Sequence, residues 1–222
     1  MFKAIIYKEW LKIRWCYLGM AAVTLFALLY IHLKLAHDLK FSEATSYWYY
    51  AIFRGVKFYV EFKYIPFLAG LVVAFTQFIP EISMKRLKLT LHLPMRENKI
   101  LVQMMLVGVA ALAALYLIAL ILLSIIAMRE FPIEMLNSLL ISTAPWFLAG
   151  LVAYLAVSMI ILEPLWMRRI LLILISAGFI NCLFTSYWYD LYSKSLPVFV
   201  LLGLFFSTSI LLSAHRFRKG VM

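Results

Sequence analysis

Apolar positions along this chain fall in long blocks, without the polar face of a soluble helix or the alternation of a strand. The blocks cover roughly residues 16–36, 64–82, 100–128, 139–162, 170–188 and 197–214. Each reaches the length, about 17–25 residues, that a helix needs to cross a hydrocarbon core of ~30 Å, and 100–128 exceeds it. A helix satisfies its own backbone hydrogen bonds in lipid, whereas transmembrane barrel strands would alternate apolar and polar positions. The pattern therefore predicts an all-α fold, a polytopic membrane protein with six transmembrane helices. The second block is the weakest, because its apolar stretch over 66–79 is short and Glu61 and Lys63 precede it.

The first 15 residues, "MFKAIIYKEWLKIRW", lack the apolar stretch of a cleaved signal and read instead as an amphipathic interfacial helix. On a helical wheel Phe2, Ile5, Ile6, Trp10 and Ile13 share an arc of about 140°, flanked by Lys3, Lys8, Lys12 and Arg14. Glu9 falls inside that apolar arc. It either pairs with Lys12 or Lys8 at the interface or caps a contact with a partner subunit. Residues 37–63 form the one long excursion on the opposite side. Their aromatic run "SYWYYAIFRGVKFYVEFKY" suits the headgroup zone or the outer mouth of a transport path. Each span carries one glycine, and "AALAA" (Ala110 to Ala114) and "AGLVA" (Ala149 to Ala153) have the small-xxx-small spacing of helix-packing seams.

Composition agrees with the blocks: 66% of residues are hydrophobic, only 14% are charged, and the mean hydropathy is +0.97. Charge then orients the bundle. With six spans, one side holds residues 1–15, 83–99, 163–169 and the tail 215–222. Counting charges at span ends with the nearer side, so that Glu81 is included, it has 14 of the 21 Lys and Arg but four of the ten acids. The positive-inside rule puts both termini and the 82–99 loop in the cytoplasm. The net charge of +11 is thereby explained by topology and anionic headgroups, without nucleic acid as a partner. Cys16 and Cys182 belong at different depths, which argues against a disulfide.

No catalytic constellation is visible. There is no Gly-x-Ser-x-Gly turn, no acid–base carboxylate pair within a span, no phosphate-cradling glycine loop and no His-Glu-x-x-His metal motif. The reading is of a non-enzyme that binds no cofactor or metal itself. Gln77, Gln103 and Asn181 are the strongest polar groups in or near the spans, and they either join helices or contact cargo along a path. No Asp, Glu, Lys or Arg lies near the middle of a span, unlike the usual gradient-driven carrier. Energy for transport would have to come from another chain.

The loop "EISMKRLKLTLHLPMRENK", Glu81 to Lys99, carries a more specific signal. It resembles the first cytoplasmic loop of ABC-2 type transporter permeases, whose pattern runs approximately E-R-E-x-G-T-L-E-x-L-L-x-x-P-v-s-R. Glu81 matches the leading acid, Leu87 and Leu91 the apolar positions, and Leu93–Pro94 the proline step, while Arg96 falls one place before the family's basic residue. Lys85–Arg86 replaces Gly-Thr and Lys88 replaces the usual Glu. The opening "YKEWLKIR" is similar to the surface helix of these permeases. The resemblance implies a permease half-transporter of an ATP-driven exporter in the bacterial cytoplasmic (inner) membrane. Two copies, identical or paired with a related permease, would form the path, and separate ATPase subunits would hold ATP and Mg. Glu9, Glu81, Lys85, Arg86, Leu87, Leu91, Leu93, Pro94 and Arg96 would then couple to the ATPase, with leucines as anchors and Pro94 ending the coupling helix. The alternatives are a non-catalytic membrane scaffold and a membrane-embedded lipid-modifying enzyme.

Overall fold

The computed structural model describes residues 2–41, 44–83, 97–185 and 192–219. The described residues are helical with short connections and contain no strand. In chain order the helices are α1 (Phe2–Phe41), α2 (Ala44–Phe53), α3 (Ile65–Ser83), α4 (Glu97–Glu130), α5 (Glu134–Leu162), α6 (Trp166–Phe184) and α7 (Leu196–Lys219), with a 3-10 turn at Val60–Phe62. Among the described residues, five helical segments are long and apolar enough to cross a bilayer: Lys3–Phe41, Val60–Ser83, Lys99–Glu130, Glu134–Leu162 and Trp166–Phe184. A shorter apolar segment, Leu196–Ser207, opens α7. Many large apolar side chains, including Phe26, Leu117, Leu174 and Phe205, face outward. That surface is stable against lipid tails and costly against water. The chain is a multi-pass α-helical membrane protein.

The N-terminal region differs from its sequence reading. A separate interfacial helix over 1–15 followed by a span over 16–36 was the expectation, yet α1 runs without a break for 40 residues. Such a helix is about 60 Å long, twice the hydrocarbon thickness. Its buried positions are Ile5, Glu9, Ile13, Met20, Thr24, Leu28, Ile31 and Leu35. Their steps of three, four and seven form one seam on both sides of residue 15, so the first turns continue the packing face of the span.

Helix α5 is central, packing on α3, α4, α6 and α7. The span that looked weakest in the sequence has the most regular inner face. In α3, Pro66, Ala69, Gly70, Val73, Ala74, Gln77, Phe78 and Glu81 are buried, at spacings of three and four throughout. Its modest apolar length is offset by close backbone approach to α5. A β-carbon added to Gly70 would overlap the carbonyl oxygen of Gly150, and one added to Gly150 would overlap the Tyr116 hydroxyl and the Pro66 carbonyl. Tyr116 Oη donates to that Pro66 carbonyl at 2.7 Å, which joins α4 to the same junction. Ala149 and Ala153 of "AGLVA" are fully buried here. Ala110 and Ala114 of "AALAA" are exposed, and Gly19 and Gly178 meet no neighbour within 4 Å, so these positions make no packing seam inside the chain.

The aromatic run over 46–64 divides in two. Trp48, Tyr49 and Tyr50 are exposed, as side chains of a headgroup zone would be. Phe58, Tyr59 and Phe62 turn inward instead. Phe58 stacks on Phe131 at 5.1 Å, Tyr59 bonds to Ser142 at 2.5 Å and lies 5.6 Å from the Trp146 ring, and Phe62 meets Phe147 at 5.8 Å. Lys34 of α1 pairs with Glu61 at 2.5 Å and ties this strap down. Residues 58–62 thus plug one end of the bundle. Cys16 and Cys182 are free thiols, as their expected depths implied.

The Gly70–Gly150 junction gives a test by thermal unfolding in detergent. Gly70→Ala forces a methyl group into helix backbone and is expected to cost about 1–3 kcal/mol, as overpacking does. Gly19→Ala, whose methyl meets nothing, is expected to leave the melting temperature unchanged or slightly raised.

Candidate functional site

At the end of the bundle opposite the aromatic plug, the first turns of α1, the last turn of α3 and the start of α4 converge. Two acids are buried there. Glu9 occupies the packing seam of α1 and Glu81 that of α3, and both are fully shielded from solvent. An isolated carboxylate in such a place would cost several kcal/mol or take up a proton. Two lysines from α1 compensate. Lys12 Nζ lies 2.7 Å from Glu9 Oε1 and also donates to Glu81 Oε1, so one ammonium bridges the two helices. Lys8 adds a second ion pair to Glu81 at 3.0 Å and approaches Glu9 at 4.0 Å. The Lys12 side chain is only 10% exposed against 38% for Lys8, so Lys12 forms the inner bridge and Lys8 the outer rim.

The cluster extends inward through Gln77, one helical turn before Glu81 on the same face of α3. Gln77 Nε2 donates to Glu9 Oε2 at 3.1 Å and to the Met104 carbonyl of α4 at 2.8 Å. Gln77 Oε1 accepts from Tyr154 Oη of α5 at 2.8 Å, and the same hydroxyl lies 3.3 Å from the Met105 carbonyl. Space for this contact comes from Gly108, where an added β-carbon would overlap the Tyr154 hydroxyl and come within 2.6 Å of Gln77 Oε1. One connected set of bonds therefore joins α1, α3, α4 and α5. Glu81 Oε2 is buried and makes no hydrogen bond.

The sequence-predicted site residues separate into three groups. Glu9 and Glu81 come together, and the expected pairing of Glu9 with Lys12 or Lys8 is present with both. Their carboxylates are enclosed, so in this arrangement neither presents itself to a second protein. Lys85, Arg86, Leu87, Leu91, Leu93, Pro94 and Arg96 lie outside the described residues, between the end of α3 at Ser83 and the start of α4 at Glu97. Gln77, Gln103 and Asn181 do not converge on one path. Gln77 is fully engaged in joining helices, Gln103 is half-buried on α4 with a shielded Oε1 that has no partner, and Asn181 is exposed on α6 beyond α5. Tyr154 escaped sequence reading, since one tyrosine among apolar neighbours carries no local mark, whereas Gly108 is one of the span glycines expected at close helix approaches. Gln77 and Glu81 on one face of a buried helix, four positions apart, were the available signal.

No family model, curated protein or solved structure matches this chain.

Chemical denaturation in mixed micelles distinguishes a connected network from separate contacts. Tyr154→Phe removes one donor and is expected to cost about 1 kcal/mol. Gln77→Leu takes the donor from Glu9 Oε2 and the Met104 carbonyl, leaves the Tyr154 hydroxyl only its long bond to the Met105 carbonyl, and is expected to cost about 3 kcal/mol. A Gln77→Leu variant as stable as Tyr154→Phe would contradict the network.

Proposed function

We propose that this chain is the permease half-transporter of an ATP-driven exporter of the ABC-2 type, in a bacterial inner membrane. Six spans with both termini cytoplasmic, α7 being the sixth, place the 82–99 loop on the side of a soluble ATPase. ATP and Mg are bound and ATP hydrolysed on that partner, and a second permease copy completes the path for cargo. The observation that carries the reading is the buried ionic cluster at the root of the loop. Glu81 lies just before the segment 84–96 and Met104 about two turns into the helix that follows it, and both are bonded into one unit with α1 and α5. A loop that only marked topology would need neither a rigid root nor the apolar positions Leu87, Leu91 and Leu93. A lever pushed by a motor needs both, because force applied at a loose hinge would be lost in local motion.

In this reading Glu9 and Glu81 are positioning residues that hold the lever's base. Lys85, Arg86, Leu87, Leu91, Leu93, Pro94 and Arg96 form the docking surface itself. Affinity purification of the full chain from its native membrane is expected to bring down an ATP-binding-cassette ATPase, and Leu91→Glu with Arg86→Glu is expected to abolish that association. An ATPase retained undiminished by the double variant would refute docking through the loop. Purification without any ATPase would refute the exporter reading and favour the scaffold.

A further inference from the structure

We infer that the seam between α3 and α6 holds one anionic phospholipid, its phosphate on Arg169 and an acyl chain in the groove behind. The inference needs only that the chain spans a bilayer, and it stands whether or not an ATPase docks. Helices α3 and α6 both lean on α5, and between them lies a cavity of about 580 Å³ walled by Phe67, Leu71 and Phe75, by Val157, and by Ile173 and Ile180. Beyond it, at the end that also holds the ionic cluster, a recess of about 280 Å³ is lined by Ile79, Ile82, Ser83 and Arg169. Ile160 and Ile161 line both, so the two are continuous. From Arg169 to Phe184 the groove follows α6 for roughly 22 Å, more than one leaflet of a ~30 Å core. Its length and apolar walls fit a full acyl chain.

The recess differs from the groove in its cation. Among the described residues, the only side-chain hydrogen bond of Arg169 runs from Nη2 to the Glu163 carbonyl at 2.7 Å; its Nε is shielded and has no partner, so the donors left for a ligand are those of the Nη groups. The guanidinium also lies over the Trp166 ring at 5.6 Å, and Trp166 is exposed as an interfacial tryptophan would be. Arg169 is thus held in place from two sides with donors left over, and its planar fork matches phosphate oxygens. Ser83 Oγ donates to the Ile79 carbonyl at 3.0 Å, so the cation supplies the selectivity. The turn over 163–169 carries Arg168 and Arg169 against one acid, Glu163, whose buried carboxylate does not line the recess. A soluble anion would leave the groove unused, whereas a phospholipid fills both parts.

Native mass spectrometry of the full chain, in micelles doped with phosphatidylglycerol or phosphatidylcholine, tests the inference. The wild type is expected to retain one phosphatidylglycerol per chain with roughly tenfold preference over phosphatidylcholine, the size of a charge-assisted hydrogen bond. Arg169→Gln is expected to lose that preference and Arg168→Gln to keep it. Ala177 lines the groove, and Ala177→Trp, which fills it, is expected to lose both lipids. Equal retention of the two lipids by the wild type, or a preference that survives Arg169→Gln, overturns the inference. If Arg169→Gln fails to fold, undiminished phosphatidylglycerol on Ala177→Trp overturns it alone.

Discussion

Two carboxylates sealed inside a helical bundle set a condition that the neighbouring helices must meet together. Glu9 and Glu81 are fully buried, and the ion pairs that offset their burial come from Lys12 and Lys8 on the same helix as Glu9. Because one ammonium serves both acids, α1 cannot slide or rotate against α3 without stripping a charge of its partner. Removing one member of such a set costs far more than the set contributes when whole, since what remains is an uncompensated buried charge. The cluster is therefore best understood as fixing register and orientation. The apolar seam from Ile13 to Leu35, the Gly70–Gly150 approach and the plug over 58–62 supply contact area around that fixed point.

The two ends of the bundle are held by different means. Where Phe58 meets Phe131 and Tyr59 meets Trp146, aromatic stacking and one hydroxyl bond close the structure, with the Lys34–Glu61 pair at the rim. At the other end the closure is ionic and continues through Gln77 to Tyr154 in the central helix. The segment 84–96 is attached to the ionic end, with one root in the cluster and the other about two turns before Met104. The proposed exporter uses this asymmetry. In that proposal the motor acts at the end where bonds join α1, α3, α4 and α5, and the apolar surfaces elsewhere face lipid or a second subunit.

Much of the fold could be read from the sequence because bilayer thickness acts directly on composition. The helices follow from the apolar blocks, and even the weak block at 64–82 became α3. What escaped reading depends on which side of a helix meets protein, and in lipid both sides are apolar. Ala110 and Ala114 have the spacing of a seam and point outward, while Ala149 and Ala153, no different in type, are in the core. The charge pattern suggested a break in α1 after residue 15, yet the burial seam crosses that point unbroken. Phe58, Tyr59 and Phe62 looked interfacial because aromatic rings suit headgroups and cores equally. The candidate site was half legible. Glu9 stood out as an acid on an apolar arc, but its link to Glu81, 72 positions away, is purely tertiary.

The bridge between α1 and α3 is most directly measured by a double-mutant cycle between Lys12 and Glu81, with unfolding free energies taken in the same detergent. Lys12→Met alone is expected to cost about 3–5 kcal/mol. With Glu81→Gln added, the double variant is expected to fall short of the summed single losses by about 0.5–3 kcal/mol, the range for residues in one ionic network. Losses that add to within about 0.3–0.5 kcal/mol would show that the two side chains act independently, and the ionic root of the 84–96 segment would be wrong.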